Sequence, residues 1–444
     1  MTGSLQLRGG VLADGRPTTI TIDTDTGLIE RVEHMIQPGD ERQIAAFDDA
    51  GARMQSEVLD CSGMVILNTA VEPHAHLDKV LSAAGQAALP DTLEAAIGEW
   101  TAASQRISHD DTVRRATSAV ESMVARGTTI IRSHVDVSHA VGVRAVRAIA
   151  EVRDAMAQRG LADIEIVALA APPMLDSAGA QHRDLLREAL ASGADIVGGA
   201  PHLDSDPIAA TTVAAMIAAE AGVGIDLHTD ETVDPAMMTL QHFARLVGDL
   251  GIRSAVASHC ISLSTQSIER QQAIAADVAA ASLAVTTMPL TSLFYFGWDQ
   301  AVCPPRGLTA INTLEEAGVV VAAGADNVRD HFFPFGRFDP FETAAVLSMA
   351  AHIDPAHAWE MCTARGRAAL GRPAATIDRG QVADLLLIRG RNLGEAIAAA
   401  SEHRIVLRRG RIIARTEVHH TNTPSNTPAN TPSTTPSNQQ EQAT

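Results

Sequence analysis

Short apolar runs recur through the middle of the chain, separated by alanine-rich stretches with helical spacing. The predicted strands cover residues 64–67, 128–133, 164–169, 195–198, 224–227, 254–257, 283–286 and 319–323. The clearest intervening helices are predicted over 208–221 and 266–280. Eight strands that alternate with helices and are apolar on both faces predict a parallel (β/α)8 TIM barrel. A doubly wound open sheet is the alternative, although no Gly-x-Gly-x-x-Gly motif follows a first strand.

The two ends of the chain show another pattern, with short strand-like runs separated by glycine-containing turns. These runs cover 5–12, 18–23 and 28–32 at one end, and 383–388, 405–407 and 411–414 at the other. Because two or three strands need a further partner to pack on, we expect both ends to form one small β-sandwich domain. The predicted boundaries are 1–63 and 371–418 for the two parts of the sandwich, and 64–370 for the barrel.

The remaining stretch, 419–444, is rich in Asn, Thr, Pro and Ser and contains almost no apolar residue. Such a segment cannot bury enough surface to offset the entropy of ordering it, so its composition predicts a disordered tail. It is either a stalk or recognition segment or a dispensable extension, and we favour the extension.

Charge and cysteine content narrow the class of protein. Acidic residues number 53 against 34 Lys and Arg, for a formal charge of -19, which argues against nucleic acid or an anionic membrane as a partner. No apolar run approaches the roughly 20 residues of a membrane span. The four cysteines lie far apart with no Cys-x-x-Cys pair, which predicts reduced thiols. We therefore expect a cytoplasmic protein.

Two histidines one residue apart, His74 and His76, follow the first apolar run. If that run is a strand, both side chains point the same way, since successive side chains alternate between faces. The pair could then bind one metal ion together. By itself the motif is weak, and two hydrogen-bonded loop histidines are the alternative.

Polar residues also follow the later predicted strands, at the ends where a barrel collects its catalytic groups. They are His134, His202, His228, His259 and Asp326. His228 opens the motif His-Thr-Asp-Glu, so that Glu231 lies close to a candidate ligand, as metal-assisted hydrolysis requires. Glu231 could instead be a carboxylate at a helix start, and Asp326 a helix cap.

Several motifs of the chain, taken together, resemble those of a known family. The matching pieces are Glu-Pro-His-Ala-His-Leu-Asp at 72–78, Gly-Gly-Ala-Pro-His at 198–202, His-Thr-Asp-Glu at 228–231, Ser-His at 258–259 and Gly-Ala-Asp-Asn-Val-Arg-Asp at 324–330. In order and spacing these motifs are similar to the amidohydrolase superfamily, in the branch around cytosine deaminase and N-isopropylammelide isopropylaminohydrolase. The resemblance reaches to about residue 414 and leaves out the tail.

The resemblance implies one divalent metal ion per chain, Zn²⁺ or Fe²⁺, bound by His74, His76, His228 and Asp326. It implies that Glu231 carries a proton from the attacking water to the leaving nitrogen. His259 would polarise the water or the developing tetrahedral centre, and Asp326 would help to take the proton of the water. Three nitrogens and one carboxylate suit either metal.

Two positions depart from the pattern of cytosine deaminases. A substrate-binding glutamine in the loop after the third strand aligns with Ala171, and the second residue of an Asp-Asp pair is Asn327. Because buried recognition groups discriminate strongly between substrates, these changes predict altered specificity with the metal chemistry retained. Lys79 is either a surface lysine or a cation that faces a carbonyl or carboxylate of the substrate.

Aromatic residues are scarce, at 3% of the chain, yet two clusters follow the seventh and eighth predicted strands. Flat rings around a pocket would suit a planar heterocycle, and loop packing or a subunit interface is the alternative. We select Trp298 and Phe332 from these clusters. The predicted substrate-binding residues are thus Lys79, Ala171, His202, Asn327, Trp298 and Phe332.

Together these features predict a metal-dependent hydrolytic deaminase, or N-dealkylating aminohydrolase, that acts on a planar nitrogen heterocycle of the pyrimidine or s-triazine type. In that reaction a water held by the metal attacks a ring carbon. Hydrolytic opening of a cyclic amide or imide is the alternative reaction, and a barrel that binds without turnover is the non-enzymatic one. The expected partner is a small heterocyclic substrate, and we expect a homo-oligomer.

Overall fold

The computed structural model describes residues 3–34, 56–83, 92–298, 300–419 and 421. Within these ranges the strands are β1 (Ser4–Val11), β2 (Pro17–Asp23), β3 (Ile29–His34), β4 (Ser56–Asp60), β5 (Met64–Asn68), β6 (Ala70–Ala75), β7 (Thr128–Val137), β8 (Asp163–Ala170), β9 (Ile196–Gly199), β10 (Gly224–Thr229), β11 (Ala255–His259), β12 (Ala284–Thr287), β13 (Val321–Ala323), β14 (Leu385–Arg389), β15 (Arg404–Arg408) and β16 (Arg411–Thr416). The predicted tail at 419–444 lies outside the described residues, apart from His419 and Thr421.

The helices in the same ranges are α1 (Leu93–Ser104), α2 (His109–Ala125), α3 (Arg144–Gln158), α4 (Ala180–Ala191), α5 (Pro207–Ala221), α6 (Leu240–Leu250), α7 (Ile268–Ala280), α8 (Pro289–Tyr295), α9 (Ile311–Glu316), α10 (Pro340–Ala350), α11 (Pro355–Met361), α12 (Ala364–Ala369) and α13 (Leu393–Ala399). Two short 3-10 helices cover Pro201–Leu203 and Ile261–Thr265. None of the helices in the described ranges combines the length and the apolar content that crossing a bilayer requires.

Strands β6 to β13 form one eight-stranded parallel sheet in which each strand pairs with its neighbour in the sequence. The first and last strands meet through a parallel bridge between Ala75 and Asp326, where the Asp326 N–H donates to the His74 carbonyl at 3.0 Å. Helices follow most of these strands and cover them with a continuous apolar core. The prediction of a TIM barrel is confirmed.

Capping residues mark where several helices of the barrel begin and end. Ser108 precedes α2 and Ser267 precedes α7, and each side chain accepts a backbone N–H of the first turn. Helix α5 begins with Pro207 and ends at Gly222, whose φ of 67° lies in the left-handed region that favours glycine. These signals fix where the helices start and stop. The carboxyl ends of the strands open on one face because the strands of the sheet are parallel.

The two ends of the chain form a separate mixed sheet with the order β16-β15-β14-β5-β1-β2-β3, and β4 pairs with β1. It encloses its own apolar cluster, which includes Leu7, Ile20 and Leu387. The predicted small β-domain built from both chain ends is therefore confirmed.

The position of the first barrel strand was predicted wrongly. Residues 64–67 lie in β5, which pairs antiparallel with β14 inside the small domain, and the first barrel strand is β6. Both strands are buried and apolar, so hydrophobicity alone does not separate them. The strands on either side of Thr69 thus belong to different sheets.

Candidate active site

Four predicted ligand side chains converge where the barrel closes. The His76 Nε2 atom lies 3.1 Å from Asp326 Oδ1 and 3.4 Å from His228 Nε2, and His74 Nε2 lies 3.7 Å from the same Asp326 oxygen. All four residues are buried. His74 belongs to β6 and His228 to β10, whereas His76 and Asp326 follow β6 and β13 directly.

Hydrogen bonds to the far side of two imidazoles fix which nitrogen carries the proton. His76 Nδ1 lies 3.1 Å from the His134 carbonyl, which can only accept, so Nδ1 is protonated and Nε2 keeps its lone pair. His74 Nδ1 lies 2.9 Å from Ser258 Oγ, which itself donates to Asp226 at 2.8 Å. Both Nε2 atoms therefore present lone pairs to the same point.

A buried ion pair holds the hydroxyl that orients His74. The second oxygen of Asp226 accepts from Arg132 Nη1 at 2.9 Å, and Arg132 Nε donates to Glu165 at 2.8 Å. Arg132 and Asp226 have no exposed surface, so their charges compensate each other inside the barrel. This network holds the Ser258 hydroxyl in place, and the hydroxyl in turn fixes the orientation of the His74 ring.

Asp326 is oriented in the same way. The Thr291 hydroxyl donates to its Oδ2 at 2.6 Å, which leaves Oδ1 directed at the histidine nitrogens. The φ angles of Asp326 and His259 are 65° and 72°, in the left-handed region that non-glycine residues rarely adopt. Strain of this kind costs on the order of 1–3 kcal/mol and is typical of functional sites.

The residues fit a divalent metal ion. Burial, reinforced by repulsion between neighbouring rings, holds the pKa of His74 and of His228 well below its usual value, so both imidazoles are neutral. His74 Nε2 and Asp326 Oδ1 are buried without a hydrogen-bond partner. Ligand atoms about 2.1 Å from a tetrahedral ion stand about 3.4 Å apart. The distances from Asp326 Oδ1 to His76 Nε2 and His74 Nε2, 3.1 and 3.7 Å, are close to that value. His74, His76 and Asp326 offer ligand atoms that all lie within 4.8 Å of one another, an arrangement that suits a divalent cation, and His228 Nε2 stands beside His76 Nε2 as the further candidate ligand.

Glu231 lies beside this cluster at the end of β10. Its Oε1 is 3.5 Å from His259 Nδ1, and its Oε2 is 4.0 Å from His202 Nε2. Burial, together with the negative charge of Asp326, raises the pKa of Glu231 well above its usual value. Burial also lowers the pKa of His259 to about 3, so that its ring is neutral. A carboxyl group in this setting can carry a proton near neutral pH.

Comparison with known proteins identifies the family. A model described as "Amidohydrolase family" matches residues 175–414, more than half of the chain. The chain belongs to the amidohydrolase family. It is 31% identical over 326 residues to a pterin deaminase of Rhizobium rhizogenes (strain K84 / ATCC BAA-868), covering 71% of each chain.

Two further relatives of this amidohydrolase cover most of its length. An N-isopropylammelide isopropyl amidohydrolase of Pseudomonas sp. (strain ADP) is 25% identical over 414 residues, covering 89% of this chain and 98% of the relative. A crystal structure of 5-methylcytosine deaminase from Klebsiella pneumoniae liganded with 5-fluorocytosine superposes with a TM-score of 0.80 and 24% identity, covering 95% of this chain and 100% of that one. The last comparison establishes the shared fold.

A cavity of about 730 Å³ opens beside the convergent side chains of the amidohydrolase. The predicted residues that line it are His76, Lys79, Ala171, His228, Glu231, His259, Asp326, Asn327 and Phe332. His74 has no exposed surface and is not among the residues that line the cavity. His202 lies outside the lining, with Nδ1 3.2 Å from the His228 carbonyl.

The structure places Trp298, a predicted substrate-binding residue, outside the cavity lining. Its side chain is 60% exposed and does not line the cavity, and its indole N–H donates to the Phe294 carbonyl. Its ring packs edge-on against Phe294, with centroids 5.8 Å apart. Sequence position placed this residue near the mouth of the barrel but could not give the direction of its side chain.

Lys79 and Asn327 both lie at the cavity but are engaged by carboxylates. Lys79 is buried, so the alternative of a surface lysine is wrong, and its Nζ lies 2.6 Å from Asp136 Oδ1 and 3.5 Å from Asp78 Oδ2. The Asn327 amide donates to Asp330 at 2.7 Å. Neither side chain is an isolated recognition group.

Sequence reasoning missed several residues of the site. Ser258 and Thr291 orient the candidate ligands, and Asp136 and Trp100 line the cavity. Asp136 could have been found, because it lies two residues after His134 on one strand and so shares its face. No signal in the sequence pointed to Trp100.

Proposed function

We propose that this amidohydrolase is a metal-dependent hydrolytic deaminase, or N-dealkylating aminohydrolase, of a planar nitrogen heterocycle of the pyrimidine, s-triazine or pteridine type. The observation that carries the proposal is the convergence of His74, His76, His228 and Asp326 beside a carboxyl group, Glu231, at the wall of one cavity. The relatives named for pterin and N-isopropylammelide support the class of substrate.

In this proposal the four converging side chains bind one Zn²⁺ or Fe²⁺ ion. Such an ion supplies Lewis-acid activation of water at neutral pH. The protein contributes the orientation, because Ser258, Thr291 and the His134 carbonyl hold three of the ligands in place. Preorganised groups of this kind need little rearrangement during the reaction.

Glu231 carries the proton in the proposed reaction. Its carboxyl group lines the cavity next to Asp326 and His259, within reach of a water and of the leaving nitrogen. It takes a proton as the water attacks the ring carbon and returns it to the departing amine. His259, neutral and buried, hydrogen-bonds the developing tetrahedral centre.

The charges around the cavity favour release of an amine over opening of a cyclic amide. Ring opening leaves a carboxylate on the product. Among the described residues that line the cavity, Lys79 is the only lysine or arginine, and it is already paired with Asp136. The described cavity wall therefore offers no unpaired cationic side chain to a product carboxylate, and a neutral heterocycle is buried there at a lower cost than an anion.

The test is turnover of pterin, 5-methylcytosine and N-isopropylammelide by the native protein and by Glu231→Gln, with metal content measured in both. Removal of the proton carrier lowers kcat by about 100-fold or more while bound metal is unchanged. Glu220→Gln, an exposed carboxylate of α5, is the matched control. Native protein with a full complement of metal and no turnover on any of the three would overturn the proposal.

We also propose a cytoplasmic homo-oligomer. All four cysteines are free thiols, as a reducing compartment favours. Exposed apolar side chains at Trp298, Val302 and Phe335 are of the kind that subunit interfaces cover. Light scattering coupled to gel filtration measures the mass, and a monomer would contradict this part of the proposal.

A further inference from the structure

The cavity contains a fixed carboxylate that the proposed reaction does not use. Asp136 lies near the end of β7, and 22% of its side chain is exposed, in the cavity that it lines. Its Oδ1 accepts from Lys79 Nζ at 2.6 Å, and its Oδ2 accepts from Trp100 Nε1 at 2.6 Å. An ionised carboxylate offers about four lone-pair sites, so these two bonds fix Asp136 and leave acceptor capacity free.

Lys79 supplies a hydrogen-bond donor beside this acceptor. An ammonium has three N–H donors; one is directed at Asp136 and a second faces Asp78 Oδ2 at 3.5 Å, which leaves one donor for a ligand. Lys79 Nζ also lies 3.4 Å from His76 Nδ1, on the side of that ring opposite Nε2. The Lys79–Asp136 pair therefore stands next to the convergent ligands and not at the outer rim of the cavity.

The pair lies next to Ala171, a residue of the cavity wall that the resemblance to cytosine deaminases aligns with a substrate-binding glutamine. Ala171 N–H donates to the Val137 carbonyl at 3.0 Å, so Ala171 abuts the residue that follows Asp136. A glutamine amide offers one acceptor and donors side by side, whereas the Ala171 methyl group offers neither. Lys79 and Asp136 supply the same combination of donor and acceptor from the neighbouring wall.

We propose that Asp136 and Lys79 recognise a lactam edge of the substrate, in which a ring N–H adjoins a carbonyl, on a bicyclic heterocycle of the pteridine type. Asp136 accepts the ring N–H, and Lys79 donates to the carbonyl oxygen. The cavity of about 730 Å³ has room for two fused rings, and the Trp100 and Phe332 rings lie 5.6 and 5.8 Å from Lys79 Nζ. This inference rests on the proposed function, because it names the substrate class of the same site.

Binding of a product-like pair of compounds tests the inference without requiring turnover. Lumazine, the pteridine-2,4-dione, carries lactam N–H groups, and 1,3-dimethyllumazine has both replaced by N-methyl. Calorimetry with the Zn²⁺-loaded full chain should show that lumazine binds about tenfold more tightly or better, since a hydrogen bond to a charged group is lost on methylation.

Asp136→Asn should abolish that preference. In the variant, the amide oxygen of Asn accepts the hydrogen bond from Lys79, so its NH₂ group faces the ring N–H of lumazine. Two donors then face each other, and the ratio of the affinities for lumazine and 1,3-dimethyllumazine falls to about one. The steric cost of the methyl groups is the same in both proteins, so the change in ratio reports the hydrogen bond. Asp184→Asn, whose carboxylate is 81% exposed on α4, is the matched control and keeps the native ratio.

A second variant covers the case in which Asp136→Asn does not fold. Trp100→Phe removes the indole N–H that fixes Asp136 while keeping an aromatic ring, and the ratio should fall by about threefold. An unchanged ratio in the folded variants, or native protein that does not bind lumazine, overturns the inference. Native protein that prefers lumazine but turns over no heterocyclic amine contradicts the proposed function alone.

Discussion

At the scale of single residues, the site is built from side chains that are each anchored on one side. His74, His76 and Asp326 each have one polar atom bonded to the protein and another directed at the common point. The anchoring bonds decide which atom is free to bind a cation. Orientation of ligands by such outer contacts typically changes metal affinity by about 10–100-fold.

His228→Ala tests the ligand assignment. Removal of one of four ligands should reduce bound metal from about one ion per chain to a small fraction after dialysis, because three ligands hold the ion less tightly. Mass spectrometry of the metal content measures this. His109→Ala, a surface histidine paired with Glu151, should retain the native content. Full metal retention in His228→Ala would show that the assignment is wrong.

Ser258→Ala tests the anchoring of His74. The change removes the oxygen that fixes His74 Nδ1, so metal affinity should fall by about tenfold or more while the ligands remain in place. Competition with a chromophoric chelator gives the affinity. Ser205→Ala, at an exposed position, serves as the control. Equal affinities in the native protein and both variants would exclude this role for Ser258.

The candidate ligands could be predicted because they lie at or just after the carboxyl ends of strands, and because the resemblance to amidohydrolases assigns them to one ion. The Lys79–Asp136–Trp100 contacts could not, since they join residues 57 and 36 positions apart. Their distances depend on how the segment containing α1 lies over the cavity. The position of Trp298 outside the cavity lining could not be predicted for the same reason, because composition gives the presence of an aromatic ring but not its direction.

At the scale of elements, the two domains are joined by a buried ion pair. Arg404 on β15 donates to both oxygens of Asp339, at 3.0 and 2.7 Å, and Asp339 caps α10 of the barrel. The same guanidinium donates to the Arg126 carbonyl at 2.9 Å. Hydrophobic patterning predicted both domains but gave no indication of this contact, just as it did not separate β5 from β6.

Arg404→Met should destabilise the protein by about 3–5 kcal/mol, because it leaves the Asp339 carboxylate buried without its partner. Equilibrium unfolding in urea measures the loss. Arg411→Met, at an exposed position on the neighbouring strand β16, should change stability by about 0.5 kcal/mol or less. A loss as small in Arg404→Met as in this control would mean that the ion pair contributes little to joining the domains.

At the scale of the whole molecule, the candidate metal centre lies at the point where the barrel closes. The bond from Asp326 N–H to the His74 carbonyl joins the last strand to the first, and Glu72 accepts the N–H groups of both His74 and Ala325 at this seam. A cation bound there contacts both sides of the seam. Binding should therefore stabilise the closed barrel as a whole.

Removal of metal should lower the melting temperature of the native protein. Binding to the folded state alone contributes about 4 kcal/mol when free metal is 1,000 times its dissociation constant. Differential scanning calorimetry before and after chelation measures the change, and Zn²⁺ or Fe²⁺ should restore it. His228→Ala should show little response to the chelator. Identical melting of native protein with and without metal would contradict a structural role for the ion at the seam.

The closure of the barrel also has a consequence for biosynthesis. His74 and His76 leave the ribosome about 250 residues before Asp326, which at ~5–20 residues per second is a delay on the order of tens of seconds. During that time the nascent chain carries an incomplete set of ligands and cannot close its first strand against its last. Loading of the ion is thus a late event in the life of each new chain, and translation products that stop early remain without a complete centre.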